Sequence, residues 1–221
     1  MKLTAAQIEE LYAFTRKKYV EHYDVQTELV DHLANSIEEK MSASNINFET
    51  ALQQIYAQFG IFGFSELVEK KGVEVVSKNR LFFRKSFIEY FKLPKFLLIL
   101  MTFLVSYNAF KFANPTFVFY TFVATIGIFS TIIFLKIILI KRNIKMPLLQ
   151  FNYIFFTLSS FGLPLLSVQY VFYLSLLKLT GVYQTIIPLI FSLIIISYLA
   201  EIVVLDKLFN QQKKLYPEAF K

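Results

Sequence analysis

Thirty consecutive residues, Leu148–Leu177, carry no charge. Such a run exceeds the ~20 apolar residues that cross a bilayer as a helix, and few soluble folds accommodate it. Three further stretches resemble it: Phe96–Phe112, Thr116–Leu135 with a continuation past Lys136 through Ile140, and Val182–Leu205, interrupted only by Glu201. Asn114-Pro115 supplies a turn between the first two. The pattern predicts four transmembrane helices over about 96–113, 116–140, 148–177 and 182–205, the first only marginally long enough. The third is too long for a straight perpendicular crossing, so it is expected to tilt, protrude or kink at Pro164. Charged residues make up 18% of the chain against the ~25% of an average soluble domain, which agrees with a membrane location.

Charge is unevenly placed. Residues 1–69 balance at −6, residues 70–95 at +6 and residues 96–221 at +7. The positive charge adjoins apolar runs, which favours anionic lipid headgroups over nucleic acid. Around the expected spans, 13 Lys/Arg fall in the segment before the first, the loop after the second and the tail. Only Lys111 and Lys178 fall in the opposite loops. The positive-inside rule therefore predicts that both termini are cytoplasmic. The start, Met1-Lys2-Leu3-Thr4, is expected to be neither a targeting sequence, since no apolar run follows it, nor N-myristoylated, since position 2 is Lys.

The first 60 residues read as three amphipathic helices. Thr4 and Gln7 form a capping-box pattern, and Asp24 is expected to cap a second helix to about Met41. Asn47 is expected to cap a third that stops at Gly60. Residues 1–76 are expected to form a separable cytoplasmic module of three or four helices. Residues 77–95 form a basic linker helix whose Arg80, Arg84, Lys85, Lys92 and Lys95 face lipid headgroups. The transmembrane domain covers 96–206 and a cytoplasmic tail 207–221. The fold class is all-α, a helical module followed by a four-helix transmembrane bundle.

Glu28-Leu29-Val30-Asp31-His32-Leu33, Glu38-Glu39, Phe48-Glu49-Thr50-Ala51-Leu52 and Phe59-Gly60 resemble the bacterial HAAS-type helical domain over about residues 4–70. The chain departs from that pattern after Gly60, where Ile61-Phe62-Gly63-Phe64 replaces a polar Asp-Pro turn. The resemblance implies a cytosolic module placed before transmembrane segments in permease-like, anti-sigma-like and PadR-associated proteins of the bacterial cytoplasmic (inner) membrane. It implies no catalysis.

Candidate site residues are few. Cysteine is absent, which excludes disulfides, thiolate metal sites and cysteine nucleophiles. His22 and His32 are the two histidines. Glu28, Asp31 and His32 form the polar face of helix two. The i, i+4 spacing of Glu28 and His32 suits either a chelate or a surface pair, and without a third ligand the pair is read as structural, with no metal and no cofactor. Within the third span, Ser159, Ser160, Gly162, Pro164 and Gln169 mark a kink and polar site, read first as helix packing and second as a transport site. Lys136 and Glu201 sit at matching depth in the second and fourth spans and are expected to form an intramembrane ion pair.

With no G-x-S-x-G, phosphate loop or paired intramembrane acids, an enzyme is not expected. The leading expectation is a non-enzymatic regulatory or accessory membrane protein, its module meeting a protein partner. The alternative is a small transporter or channel subunit, which needs a homo-oligomer to enclose a path.

Overall fold

A computed structural model describes residues 2–112, 115–154 and 182–221. The described residues are helical, apart from turns and one isolated β-bridge. They divide into two compact units. The first comprises Met1–Ser77, Ile144–Ile154 and Tyr216–Lys221, and the second Lys78–Asn143 and Phe155–Leu215.

The first unit begins with α1 (Ala5–Lys17), α2 (Tyr23–Ser44) and α3 (Phe48–Tyr56). The Thr4 capping box forms as expected: Gln7 N–H donates to Thr4 Oγ1, and Thr4 N–H donates to Gln7 Oε1 at 2.8 Å. Asn47 caps α3 by accepting the Thr50 N–H at 2.9 Å. Val25, Leu29, Val30, Leu33, Ala34 and Ile37 of α2 are buried against Leu11, Ala51, Leu52, Ile55 and Phe64. These positions recur every three or four residues, so one face of α2 carries the core.

Asp24 is not the N-cap of α2, although its Oδ1 accepts the N–H of Val25 in the first turn at 3.1 Å. Position 22, a histidine without a capping side chain, starts that helix, and the Asp24 carboxylate turns to α7 (Leu149–Asn152). Leu149 joins the module core, and Tyr153 packs beside it. Leu148–Ile154, which open the expected third span, therefore belong to the first unit.

Gly60 and Gly63 both adopt positive φ, +70° and +54°. Between them the chain turns into α4 (Ser65–Glu89), a 25-residue helix. One continuous helix thus covers both the end of the expected module and most of the expected separate linker. Arg80, Arg84, Lys85, Lys92 and Lys95 are all exposed.

In the second unit stand α5 (Phe96–Phe112), α6 (Pro115–Arg142) and α8 (Val182–Leu215). Tyr120–Arg142 and Thr185–Leu215 are long and apolar enough to cross a membrane, while Phe96–Phe112 is a shorter apolar helix. Ile99 of α5 packs with Ile196 and Ala200 of α8 and with Tyr90. Phe122 meets Phe191 with ring centroids 4.7 Å apart, and Phe129 stacks on Tyr198 at 5.5 Å. Hydroxyls here find partners within and between helices: Ser192 Oγ donates to the Pro188 carbonyl at 2.7 Å, and Ser130 of α6 shares a 2.9 Å hydrogen bond with the Tyr198 phenol of α8.

Lys136 pairs with a different acid from the one expected. Its Nζ lies 2.6 Å from Asp206 Oδ2, whereas Glu201 is buried on α8. Five residues of α-helix rotate by ~500°, so the two acids present different faces, and only their depth was legible from spacing. Asp206 is the more exposed acid, and pairing there lets the long lysine side chain reach toward the helix end.

Candidate functional site

Two segments far apart in sequence converge on the start of α2. Tyr23 N–H donates to the Pro147 carbonyl at 2.8 Å. Asp24 Oδ1 accepts from Leu149 N–H at 2.9 Å, and Oδ2 accepts from Gln150 N–H at 3.3 Å. These are first-turn amides of α7, which lack partners within their own helix, so Asp24 caps α7 across the fold. Asn152 Nδ2 lies 2.6 Å from His22 Nε2, the amide donating when that nitrogen is bare.

The C-terminal segment closes the arrangement. Ile144 and Phe220 form an antiparallel bridge, and the Ala219 carbonyl accepts from Lys145 N–H at 2.8 Å. Phe220 meets Phe151 edge to face, and Tyr216 meets Tyr23 in the same way at 6.2 Å. The Tyr23 phenol donates to Glu218 Oε2 at 2.9 Å. Burial, then this hydrogen bond, raises the Tyr23 pKa above the ordinary tyrosine value. Tyr216 is raised as well, by burial first and then by the negative charges of Asp24 and Glu28. Both shifts favour the neutral phenol.

A cleft of about 410 Å³ opens beside this clasp, lined among others by Glu9, Glu21, Glu218, Tyr12, Tyr23 and Arg16. Its walls carry acids, phenols and one guanidinium, groups suited to recognition by hydrogen bonding.

The expected polar face of α2 forms a second feature. Lys71 Nζ of α4 lies 2.5 Å from Glu28 Oε1 and 3.7 Å from Glu74 Oε2. His32 Nε2 stands 4.0 Å from Glu28 Oε1, so Glu28 is engaged chiefly by the lysine. That hydrogen bond raises the Lys71 pKa. Asp31 is exposed on the same helix. Among the described residues, no group of three or more His, Cys, Asp or Glu is placed to hold a metal ion. A cavity of about 260 Å³ lies along this α2–α4 seam.

Ser159, Ser160, Gly162, Pro164 and Gln169 lie outside the described residues. Sequence reasoning missed the clasp. Its signal was present in the tail, where Tyr216 and Phe220 interrupt a polar stretch, and in Pro147 ahead of the apolar run. Neither the known protein families, the curated proteins nor the solved structures contain a match to this chain.

Proposed function

We propose that the chain is a non-enzymatic, multi-pass protein of the bacterial cytoplasmic membrane, regulatory or accessory in role, whose HAAS-like module meets a protein partner. One observation carries this reading: residues 2–77, 144–154 and 216–221 belong to one folded unit. Segments that fold together share one side of a membrane, so an even number of crossings must separate each from the next. Two crossings between Ser77 and Ile144 fit α5 and α6. An even count between Ile154 and Tyr216 needs a crossing besides α8, which favours four spans, the third after Ile154. The 13-to-2 asymmetry of basic residues puts the shared side in the cytoplasm.

The clasp supports a regulatory role. The loop that follows α6 and the tail that follows α8 both contact α2, so a change in either helix has a covalent route to the module.

Single-cysteine labelling in intact cells tests the topology, since the chain has no cysteine of its own. Asn114→Cys and Thr180→Cys should react with a membrane-impermeant maleimide. Lys2→Cys, Lys145→Cys and Lys221→Cys should react only after permeabilisation. External labelling at position 2 or 221 would overturn the reading. For the partner, a photo-cross-linker at Asp31 in the full chain should yield a defined heterologous adduct, and adducts only with the chain itself would argue against one.

A further inference from the structure

Ile61 and Phe62 are among the most exposed large apolar side chains described, at 99% and 75%. Their exposure is built into the backbone. Gly63 N–H donates to the Gly60 carbonyl at 3.3 Å, closing a turn with Ile61 and Phe62 in its two central positions. Turns of this kind ordinarily hold polar residues there. Gly60 and Gly63 supply the positive φ on either side, and a Cβ on Gly63 would stand 2.6 Å from the Tyr56 hydroxyl. Phe64 then plunges into the core at 1% exposure, so the chain has an apolar anchor available and still presents Phe62 outward.

The end of α1 adjoins this turn. Lys18 Nζ lies 4.4 Å from the Tyr56 ring centroid, so Lys18 and Gly63 touch the same side chain. Next to Lys18, Tyr19 is 85% exposed at φ +64° and Lys17 is exposed, whereas Arg16 lines the cleft beside the clasp. Glu66, in the first turn of α4, is an exposed acid near the turn in sequence. The exposed tip thus consists of Ile61 and Phe62 on the turn, with Lys17, Lys18 and Tyr19 at the adjoining end of α1.

We infer that this tip docks the module on an anionic bilayer surface, Ile61 and Phe62 entering the interface while Lys17 and Lys18 meet lipid phosphates. A two-residue convex turn offers far less than the ~800 Å² per partner of a specific protein interface. An interface between water and acyl chains takes up apolar side chains one at a time, and cations beside them add attraction to anionic headgroups. Tyrosine suits the headgroup level, with an apolar ring and a polar tip. The inference rests on the membrane reading above, which keeps the module tethered near lipid and raises the local concentration of its target.

The chain contains no tryptophan, so Phe62→Trp places a single, selectively excitable tryptophan at the tip. The full-length variant is reconstituted in vesicles rich in phosphatidylglycerol, and separately in phosphatidylcholine. The expected result is blue-shifted emission, quenched by brominated acyl chains in phosphatidylglycerol and less so in phosphatidylcholine. Lys17→Glu in the same background should lower the docked fraction about five-fold or more. Ile61→Trp should behave as Phe62→Trp does. Water-like emission quenched by iodide in both lipids overturns the inference, and so does blue-shifted emission insensitive to brominated lipid, which would mean a protein contact. A chain that fails to float with vesicles, or is stripped from them by alkaline carbonate, refutes the membrane reading instead.

Discussion

Asp24 Oδ1 accepts the Leu149 amide at 2.9 Å across 125 positions of sequence, so an acid in the first turn of one helix closes the first turn of another. Replacing Asp24 by alanine removes acceptors for two α7 amides at once. A lost cap costs about 0.5–2 kcal/mol, so Asp24→Ala should lower the thermal midpoint of the first unit and speed amide exchange over 149–152. Asp24→Asn, which keeps a capping oxygen, should retain most of the stability. Equal losses in the two variants would show that packing, not capping, holds the loop.

The bridge between Ile144 and Phe220 invites a covalent test. Opposed residues in an antiparallel pair have Cα atoms ~4.5–5.5 Å apart, within the range a disulfide spans. Ile144→Cys with Phe220→Cys, in a chain with no other cysteine, should cross-link on mild oxidation and change mobility on a non-reducing gel. Ile144→Cys paired with Lys221→Cys provides the register control. Preferential cross-linking of the control pair would refute the bridge.

Lys136 and Asp206 should behave as partners. Reversing either charge should destabilise the protein in detergent, and the double exchange should recover most of the loss. Asp206 is well exposed, so in water such a pair is worth only about 0–1 kcal/mol, and its effect should grow in lipid bilayers. Combining Lys136→Glu with Glu201→Lys should give no recovery. Recovery there would return the pairing to Glu201.

Alkali should loosen the first unit. Tyr23, Tyr216 and Lys71 all have raised pKa values in the fold, so each holds its proton more tightly than in the unfolded chain. Their stabilisation is complete below the ordinary tyrosine and lysine values, about 10 and 10.4, and is lost as pH rises through the folded values. Amide exchange or proteolysis of the 216–221 segment, corrected for intrinsic rates, should therefore rise above about pH 10. Tyr23→Phe, which has no phenol to ionise and no bond to Glu218, should flatten that dependence. An unchanged profile would remove Tyr23 from the explanation.

The local signals were legible in the sequence and the distant ones were not. Thr4 with Gln7, and Asn47 with Thr50, cap their helices as spacing predicts, because each partner lies within three residues. The α2 core face follows from its period. Asp24 misled because a capping side chain reads alike whether its amides are its own or another helix's. Leu148–Ile154 read as membrane-spanning because apolar composition does not tell a core from a bilayer. Lys136 has two acids on α8 separated by ~7.5 Å of rise, and helix phase against a neighbour, which spacing alone does not give, selects between them. The exposed turn at Ile61 and Phe62 was visible as a departure from a family pattern, and its meaning needed the burial of Phe64 beside it.

A unit that contains both Leu11 and Phe220 has consequences for biosynthesis. The amino-terminal helices leave the ribosome early, yet the cap on α7 waits for residue 149 and the aromatic contacts of Tyr23 wait for residues 216 and 218. Folding of this unit is completed only after the intervening apolar segments have been synthesised. In the proposed four-span topology, a chain inserted with an odd number of crossings strands the tail on the wrong side and leaves Tyr23 and Phe151 without their tail contacts. In that topology closure of the clasp requires every intervening segment to be inserted correctly, so an unclosed clasp marks a misinserted copy.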